Sequence, residues 1–407
     1  MSDISIAARG QRPGVHAGAL GFASLAFLAG LVYLNSTVSL RQAALFLVGG
    51  LLGVVLYHAS FGFTAAWRQF IADRRGAGLR AQMVMLALGV VLFFPALSAG
   101  TLFGQPVTGD LAPAGTSVAV GAFIFGIGMQ LGGGCASGTL FAIGGGNTRM
   151  LVTLFFFVVG SLIGTAHLGW WASMPALHPF SVVKAVGAGP AIAINLVLFA
   201  AIAWLTVIAE RRRHGALVSG KASPRNGGSS WLVGPWPMWV GAIALAVLNF
   251  ATLALAGRPW GITSAFALWG AKGAAAIGID VASWPYWQNP HAAKALAAPL
   301  SFDVTTIMDI GITIGALAAS ALAGRFQPGW RVPLRSLVAA VVGGLLLGYG
   351  ARLAFGCNIG AYFSGIVSGS LHGWLWLVAA FLGNVVGTRL RPAFGLAVEK
   401  TVRQSAC

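Results

Sequence analysis

The sequence predicts an all-α polytopic membrane protein, and three observations carry that prediction. Of its 407 residues 57% are hydrophobic and only 8% charged, with a mean hydropathy of +0.83, against about 25% charged in ordinary soluble domains. Apolar windows of the roughly 20 residues that a helix needs to cross a bilayer recur along the whole chain. No alternating ten-residue strands accompany them. Backbone polar groups cannot be left unpaired in lipid, so the windows read as helices rather than a barrel.

In chain order the spans fall at about 17–36, 42–58, 81–103, 116–134, 149–171, 189–208, 236–256, 304–324, 336–356 and 372–390, ten in all. The first follows Arg9 and Arg12 without a clean small-x-small cleavage site, and reads as an uncleaved helix rather than a signal peptide. Two Gly-interrupted stretches, "ASFGFTAAWRQFIA" (59–72) and "GITSAFALWGAKGAAAIGI" (261–279), are too short and too polar to join this set. They read as re-entrant or partial helices, tolerated at membrane depth where protein or water surrounds them.

The net charge of +17 raises nucleic acid as a partner, but the basic residues sit at the ends of apolar windows, where they orient a membrane protein. If the linker "ERRRHGALVSGKASPR" (210–225) is cytoplasmic, nineteen Lys and Arg fall on that side. Five fall outside (Arg41, Lys184, Arg258, Lys272 and Lys294), and Arg352 belongs to neither. This asymmetry predicts an inner-membrane protein with both termini cytoplasmic, its partners a lipid bilayer and a small solute rather than nucleic acid.

Self-comparison finds a repeat. "GIGMQLGGGCASG" (126–138) aligns without gaps on "GYGARLAFGCNIG" (348–360), pairing Cys135 with Cys357, Gly134 with Gly356, and Gln130 with Arg352. "VVGSLIGT" (158–165) then matches "FLGNVVGT" (381–388) after a one-residue shift. The span before Cys135 runs inward and the span before Cys357 outward, so the expected organisation is two inverted repeats. They cover 1–180 and 181–407, with 209–235 a cytoplasmic linker. Inverted repeats with Gly-interrupted helices at matching positions point to a transporter or channel whose site lies near the midplane.

In each repeat a span ends at glycines, a cysteine follows, and a short apolar stretch begins: "ASGTLFAIGGG" and "NIGAYFSGIVSG". Such a stretch would start as a half-helix with free N–H groups beside the thiol, a terminus that favours anions. A buried cysteine is ordinarily a small hydrophobe. Recurrence at equivalent Gly-flanked positions favours a role on the path for Cys135 and Cys357. Arg352, a charge within a span, either draws anions or braces helices through carbonyls. Its neutral counterpart Gln130 would attract anions less.

Asp309, in "MDIGITIGALAAS", reads as a proton-coupling group, a partner for Arg352, or a carboxylate near a helix end. Asn195, Asn249 and Asn384 read as interhelical hydrogen bonders, and His58 and His372 as helix-end residues. Cys407 has no context. The three cysteines exclude a disulfide framework and offer no zinc spacing. No GxxxxGK[ST] or Ser/His/Asp pattern is present. The expectation is therefore no cofactor, no metal and no enzymatic reaction.

The Gly-Cys segments "GGGCASG" and "GARLAFGCNIG", with "SFGFTAAWR" (60–68) before the first, resemble the motifs of the YeeE/YedE family of bacterial inner-membrane proteins. "GITSAFALWG" and "DIGITIGALAAS" fit as second-half counterparts. The resemblance implies an hourglass-shaped protein that takes up thiosulfate, pore cysteines passing the anion by transient S–H···S contacts; here these are Cys135 and Cys357. A third family cysteine falls at Gly62, where this chain departs. The family also contains branches tied to selenium or to other sulfur compounds. Two other readings stand beside transport of a small sulfur-containing anion. One is a membrane sulfur relay exchanging persulfide with a cytosolic carrier protein. The other is an ion-coupled organic-anion carrier in which Asp309 is essential.

Overall fold

The computed structural model describes residues 14–218 and 230–399. Arg9, Arg12, part of the expected linker, Lys400, Arg403 and Cys407 lie outside the described residues. The helices are α1 (Ala17–Thr37), α2 (Leu40–His58), α3 (Phe63–Asp73), α4 (Ala77–Ala99), α5 (Thr116–Gly132), α6 (Ala136–Gly144), α7 (Arg149–Ala172), α8 (Val182–Val186) and α9 (Ala188–His214). They continue with α10 (Ser230–Val233), α11 (Met238–Ala256), α12 (Thr263–Ala276), α13 (Pro290–Ala297), α14 (Val304–Leu322), α15 (Leu334–Leu353), α16 (Gly365–Val367) and α17 (Leu371–Leu390). Among the described residues ten helical segments are long and apolar enough to cross a membrane. The protein is an all-α, multi-pass membrane protein.

The two Gly-interrupted stretches form α3 and α12, of 11 and 14 residues. At 1.5 Å per residue these reach roughly 17 and 21 Å, short of a bilayer's hydrocarbon core. α9 continues to His214, so helix extends into the stretch expected as linker.

Glycines set the packing. A Cβ on Gly126 would meet the backbone of Ala380 and Asn384, and one on Gly383 that of Phe123, so α5 lies parallel to α17. Gly344 meets Thr153 and Phe157, and Gly164 meets Tyr349 and Arg352 one to two turns on, which makes α7 parallel to α15. Gly121 and Gly128 meet Leu353 and Leu347 in descending order, so α5 and α15 run antiparallel. Gly49 and Gly53 on α2 seat Met308 and Ile312 of α14, again in parallel. Backbones approach this closely only where no side chain intervenes, the usual means of packing helices in lipid.

Three of the acids pair with arginines at one end of the bundle. Arg80 meets Glu210 at 2.6 Å, Arg68 meets Glu399 at 2.9 Å and Arg75 meets Asp73 at 2.9 Å. This is the arginine-rich end.

Candidate functional site

Cys135 follows the glycine run that stops α5. Gly133 adopts a φ of +92°, which a side chain resists, and its N–H closes on the carbonyl of Met129. Cys135 then becomes the N-cap of α6, with extended backbone (φ −81°, ψ −170°). The backbone N–H groups of Ser137 and Gly138 approach its sulfur, and the Ser137 hydroxyl lies 3.4 Å from Sγ.

Cys357 repeats this arrangement. It caps the next helical turn with φ −110° and ψ −164°, and the N–H groups of Ile359 and Gly360 approach its sulfur. Each thiol therefore faces the N–H groups two and three residues ahead, at the positive end of a short helix. Both cysteines are 1% exposed, and each lies within electrostatic reach of the other.

The halves differ in how the main helix ends and how the short one begins. The sequence suggested that the second span would reach Gly356, but α15 stops at Leu353 and Phe355 itself takes a left-handed φ of +58°. Ser117 on α5 donates its hydroxyl to the Leu353 carbonyl at 2.7 Å, satisfying the early end. Beyond Cys357 the chain forms a wide π-helical stretch, Asn358–Ser364, in which the Cys357 carbonyl accepts from both Ala361 and Tyr362. Such widened turns recur at functional sites. Gly360 is buried, yet a Cβ built there would meet nothing within 4 Å, so space opens beside Cys357.

The thiols lie within electrostatic reach of one another, whereas Gln130 and Arg352 turn elsewhere. Gln130 donates Nε2 to the Thr64 carbonyl at 3.2 Å and to Asn384 Oδ1 at 2.6 Å. Arg352 donates Nη2 to Thr263 Oγ1 at 3.2 Å and Nη1 to the Tyr286 hydroxyl at 3.3 Å. Each thus reaches the first turn of the short helix of its own half, α3 or α12. Gly134 and Gly356 immediately precede the cysteines. Gly62 is the N-cap of α3, and a side chain there would have its nearest neighbours at 3.8 Å.

Two cavities lie at opposite ends of α7. One, of about 390 Å³ at the arginine-rich end, is lined by Gly145, Gly146, Arg149 and Arg331 among others. The second, of about 780 Å³, is lined by Leu168, Arg258, Tyr286, His291 and Asp303 among others. The rise along α7 from Arg149 to Leu168 separates them by roughly 28 Å. α6 ends at the first, and Arg352 touches the wall of the second through Tyr286.

Two groups at this site, Arg149 and Asn358, escaped the sequence reading. Arg149 donates Nη1 to the Gly132 carbonyl and Nη2 to that of Leu131, closing the broken end of α5. Asn358, fully buried next to Cys357, has neither amide atom partnered, and both carboxyl oxygens of Asp309 are likewise buried and unpartnered. Of Arg149 and Asn358, only Asn358 carried a local signal, its place directly after the repeated Gly-Cys.

The sulphur transport family model matches residues 58–386. The chain belongs to this family. It is 29% identical over 348 residues to the thiosulfate transporter TsuA of Spirochaeta thermophila, covering 83% of this chain and 95% of that protein. Against the thiosulfate transporter TsuA of Escherichia coli it is 24% identical over 350 residues, 82% and 90% of the two chains. The probable transporter YedE of Escherichia coli is 31% identical over 174 residues, 42% of each chain. The family match begins at His58, so α1 and nearly all of α2 precede it, while both Gly-Cys segments and both short helices α3 and α12 fall within it.

Proposed function

We propose that this member of the sulphur transport family is a bacterial inner-membrane transporter, both termini cytoplasmic, that carries thiosulfate or a closely related sulfur or selenium anion between the two cavities by way of Cys135 and Cys357. The observation that carries the reading is the equivalence of the two thiols. Each caps a short helix, each faces backbone N–H groups, and the two are buried within electrostatic reach of one another.

An anion entering this region loses its hydration and meets the positive ends of two short helices, which offset part of that loss. A thiol donates a weak hydrogen bond to a soft terminal sulfur without holding it tightly, so a solute can pass from one cysteine to the other. Gly134 and Gly356 end the long helices and free the caps. Gln130 and Arg352 support the short helices, and Arg352 adds positive charge beside the larger cavity. Gly62 stands where the family resemblance puts a third thiol. Burial of both sulfurs disfavours persulfide exchange with a carrier protein.

The test is uptake by cells dependent on this transporter, offered thiosulfate, sulfite, sulfate and selenium analogues in parallel. Rescue confined to compounds with a reduced sulfur or selenium atom is expected, lost in Cys135→Ala and Cys357→Ala. Equal rescue by sulfate overturns soft-atom recognition, and wild-type uptake in both variants overturns the thiol path.

A further inference from the structure

Asp309 lies on the flank of α14 that meets α6. One and two turns further along this flank, Thr313 and Ala316 pack against Gly144 at the end of α6, and Ser320 donates to the Gly144 carbonyl. Both helices run toward the arginine-rich end. Stepping back from this contact, Asp309 is roughly 10 Å along α14 and Ala136 roughly 12 Å along α6, so the carboxyl stands level with the cap at Cys135. It is also within electrostatic reach of Cys357.

The carboxyl is fully buried and neither oxygen has a partner among the described residues. The charged and titratable groups on the packed elements are engaged elsewhere or distant. On α14's own N-cap, Asp303 binds the N–H and hydroxyl of Thr306. Arg41 lies at the start of α2 and Tyr57 and His58 at its far end, Tyr33 is exposed on α1, and Lys272 of α12 donates to the Leu296 carbonyl. Arg258 donates to Thr305 Oγ1, one turn before Asp309, and among the described residues no cation pairs with Asp309. A carboxylate left alone in such a place is costly, and the neutral acid is the form that tolerates it. A carboxylic acid kept neutral by apolar surroundings is a hydrogen-bond donor.

We propose that Asp309, as the neutral acid, is a substrate-binding residue that donates its O–H to the oxygen end of the passing anion while Cys357 takes the sulfur end. This rests on the transport reading above and adds recognition of the oxygen end. Thiosulfate has two unlike ends, a soft terminal sulfur and three hard oxygens, and thiols alone address only the first. Asn358, unpartnered beside Cys357, supplies a second donor of the same kind. The proton stays on Asp309 throughout.

Proteoliposomes containing the full chain, with thiosulfate as probe, test this. Asp309→Asn keeps a neutral donor and is expected to transport within a few-fold of wild type. Asp309→Leu keeps the burial but no donor, and its uptake is expected to fall about tenfold or more through a raised KM. In the wild type, thiosulfate should shift the infrared C=O band of a protonated carboxylic acid, a band missing from Asp309→Asn. Uptake by Asp309→Leu at the wild-type rate, or a band that thiosulfate does not move, overturns the proposal while leaving transport intact. A folded Asp309→Asn as inactive as Asp309→Leu overturns it too. Absence of thiosulfate uptake by the wild type overturns the transport reading itself.

Discussion

Arg149, the first residue of α7, donates to the carbonyl of Gly132 at 2.7 Å and so finishes a helix that ended seventeen residues earlier in the chain. Its other terminal nitrogen takes Leu131 at 2.6 Å, and Thr153 adds a second donor to Gly132. The break in α5 is held open by these bonds, since its last carbonyls would otherwise be unpaired in a buried region.

Arg149→Ala should therefore destabilise the protein by about 2–4 kcal/mol, since three charge-assisted bonds are lost, the third from Nε to the Ser336 carbonyl, and Thr153 remains to serve only Gly132. Thermal unfolding in detergent measures this, and transport should fall in parallel because Cys135 loses its fixed cap. An unchanged Tm would show that the carbonyls find other donors.

Gly360 offers the opposite kind of test. A side chain there meets open space rather than backbone, so Gly360→Leu should fold normally while obstructing the space beside Cys357. Uptake is expected to fall more than about tenfold, a barrier increase above ~1.4 kcal/mol, at an unchanged Tm. Uptake at the wild-type rate would remove this space from the path.

Gly62 has room for a side chain and a φ of −112° that any residue adopts. Gly62→Cys should thus be neutral for stability and raise thiosulfate uptake severalfold relative to sulfite if a third thiol extends the relay. Gly62→Ser separates the effect of sulfur from that of bulk. Equal behaviour of the two variants would make the thiol at this position irrelevant.

Asp110 provides a pH signature outside the spans. Burial pushes its carboxyl up to about 6 despite the nearby Arg258, and its backbone N–H donates to Ser368 Oγ at 2.8 Å. Unfolded, the group titrates near 3.8. Between these values the unfolded chain releases its proton first, so stability falls as pH rises through the window and then levels, by up to about 3 kcal/mol. Asp110→Asn should raise Tm above about pH 7 and leave it unchanged below about pH 4. A constant difference at every pH would assign the effect to packing instead.

The ten spans, the short helices and the paired Gly-Cys segments were legible because each depends on local composition: unbroken apolar length, polar interruptions, a repeated motif. The details of the site were not. The sequence shows glycines at 126, 348 and 360 alike, yet the first two seat neighbouring backbones and the third faces open space. Only the packed bundle makes that distinction. The end of α15 at Leu353 is met by a hydroxyl from Ser117, some 236 positions away, and no local pattern announces it. Arg352 reads in isolation as either an anion-drawing charge or a helix brace, and the direction of its side chain follows from where α12 lies. Arg149 looks like one more loop arginine until the carbonyls it serves are seen.

The pairing of α5 with α17 and of α7 with α15 has a consequence for how the protein is made. When α5 and α7 leave the ribosome, the helices that fill their glycine-lined faces have not yet been synthesised. Those faces must wait in the bilayer, or against the insertion machinery, until Leu334–Leu390 arrives. A chain cut between α9 and α11 should therefore become competent only if both fragments are present in the same membrane.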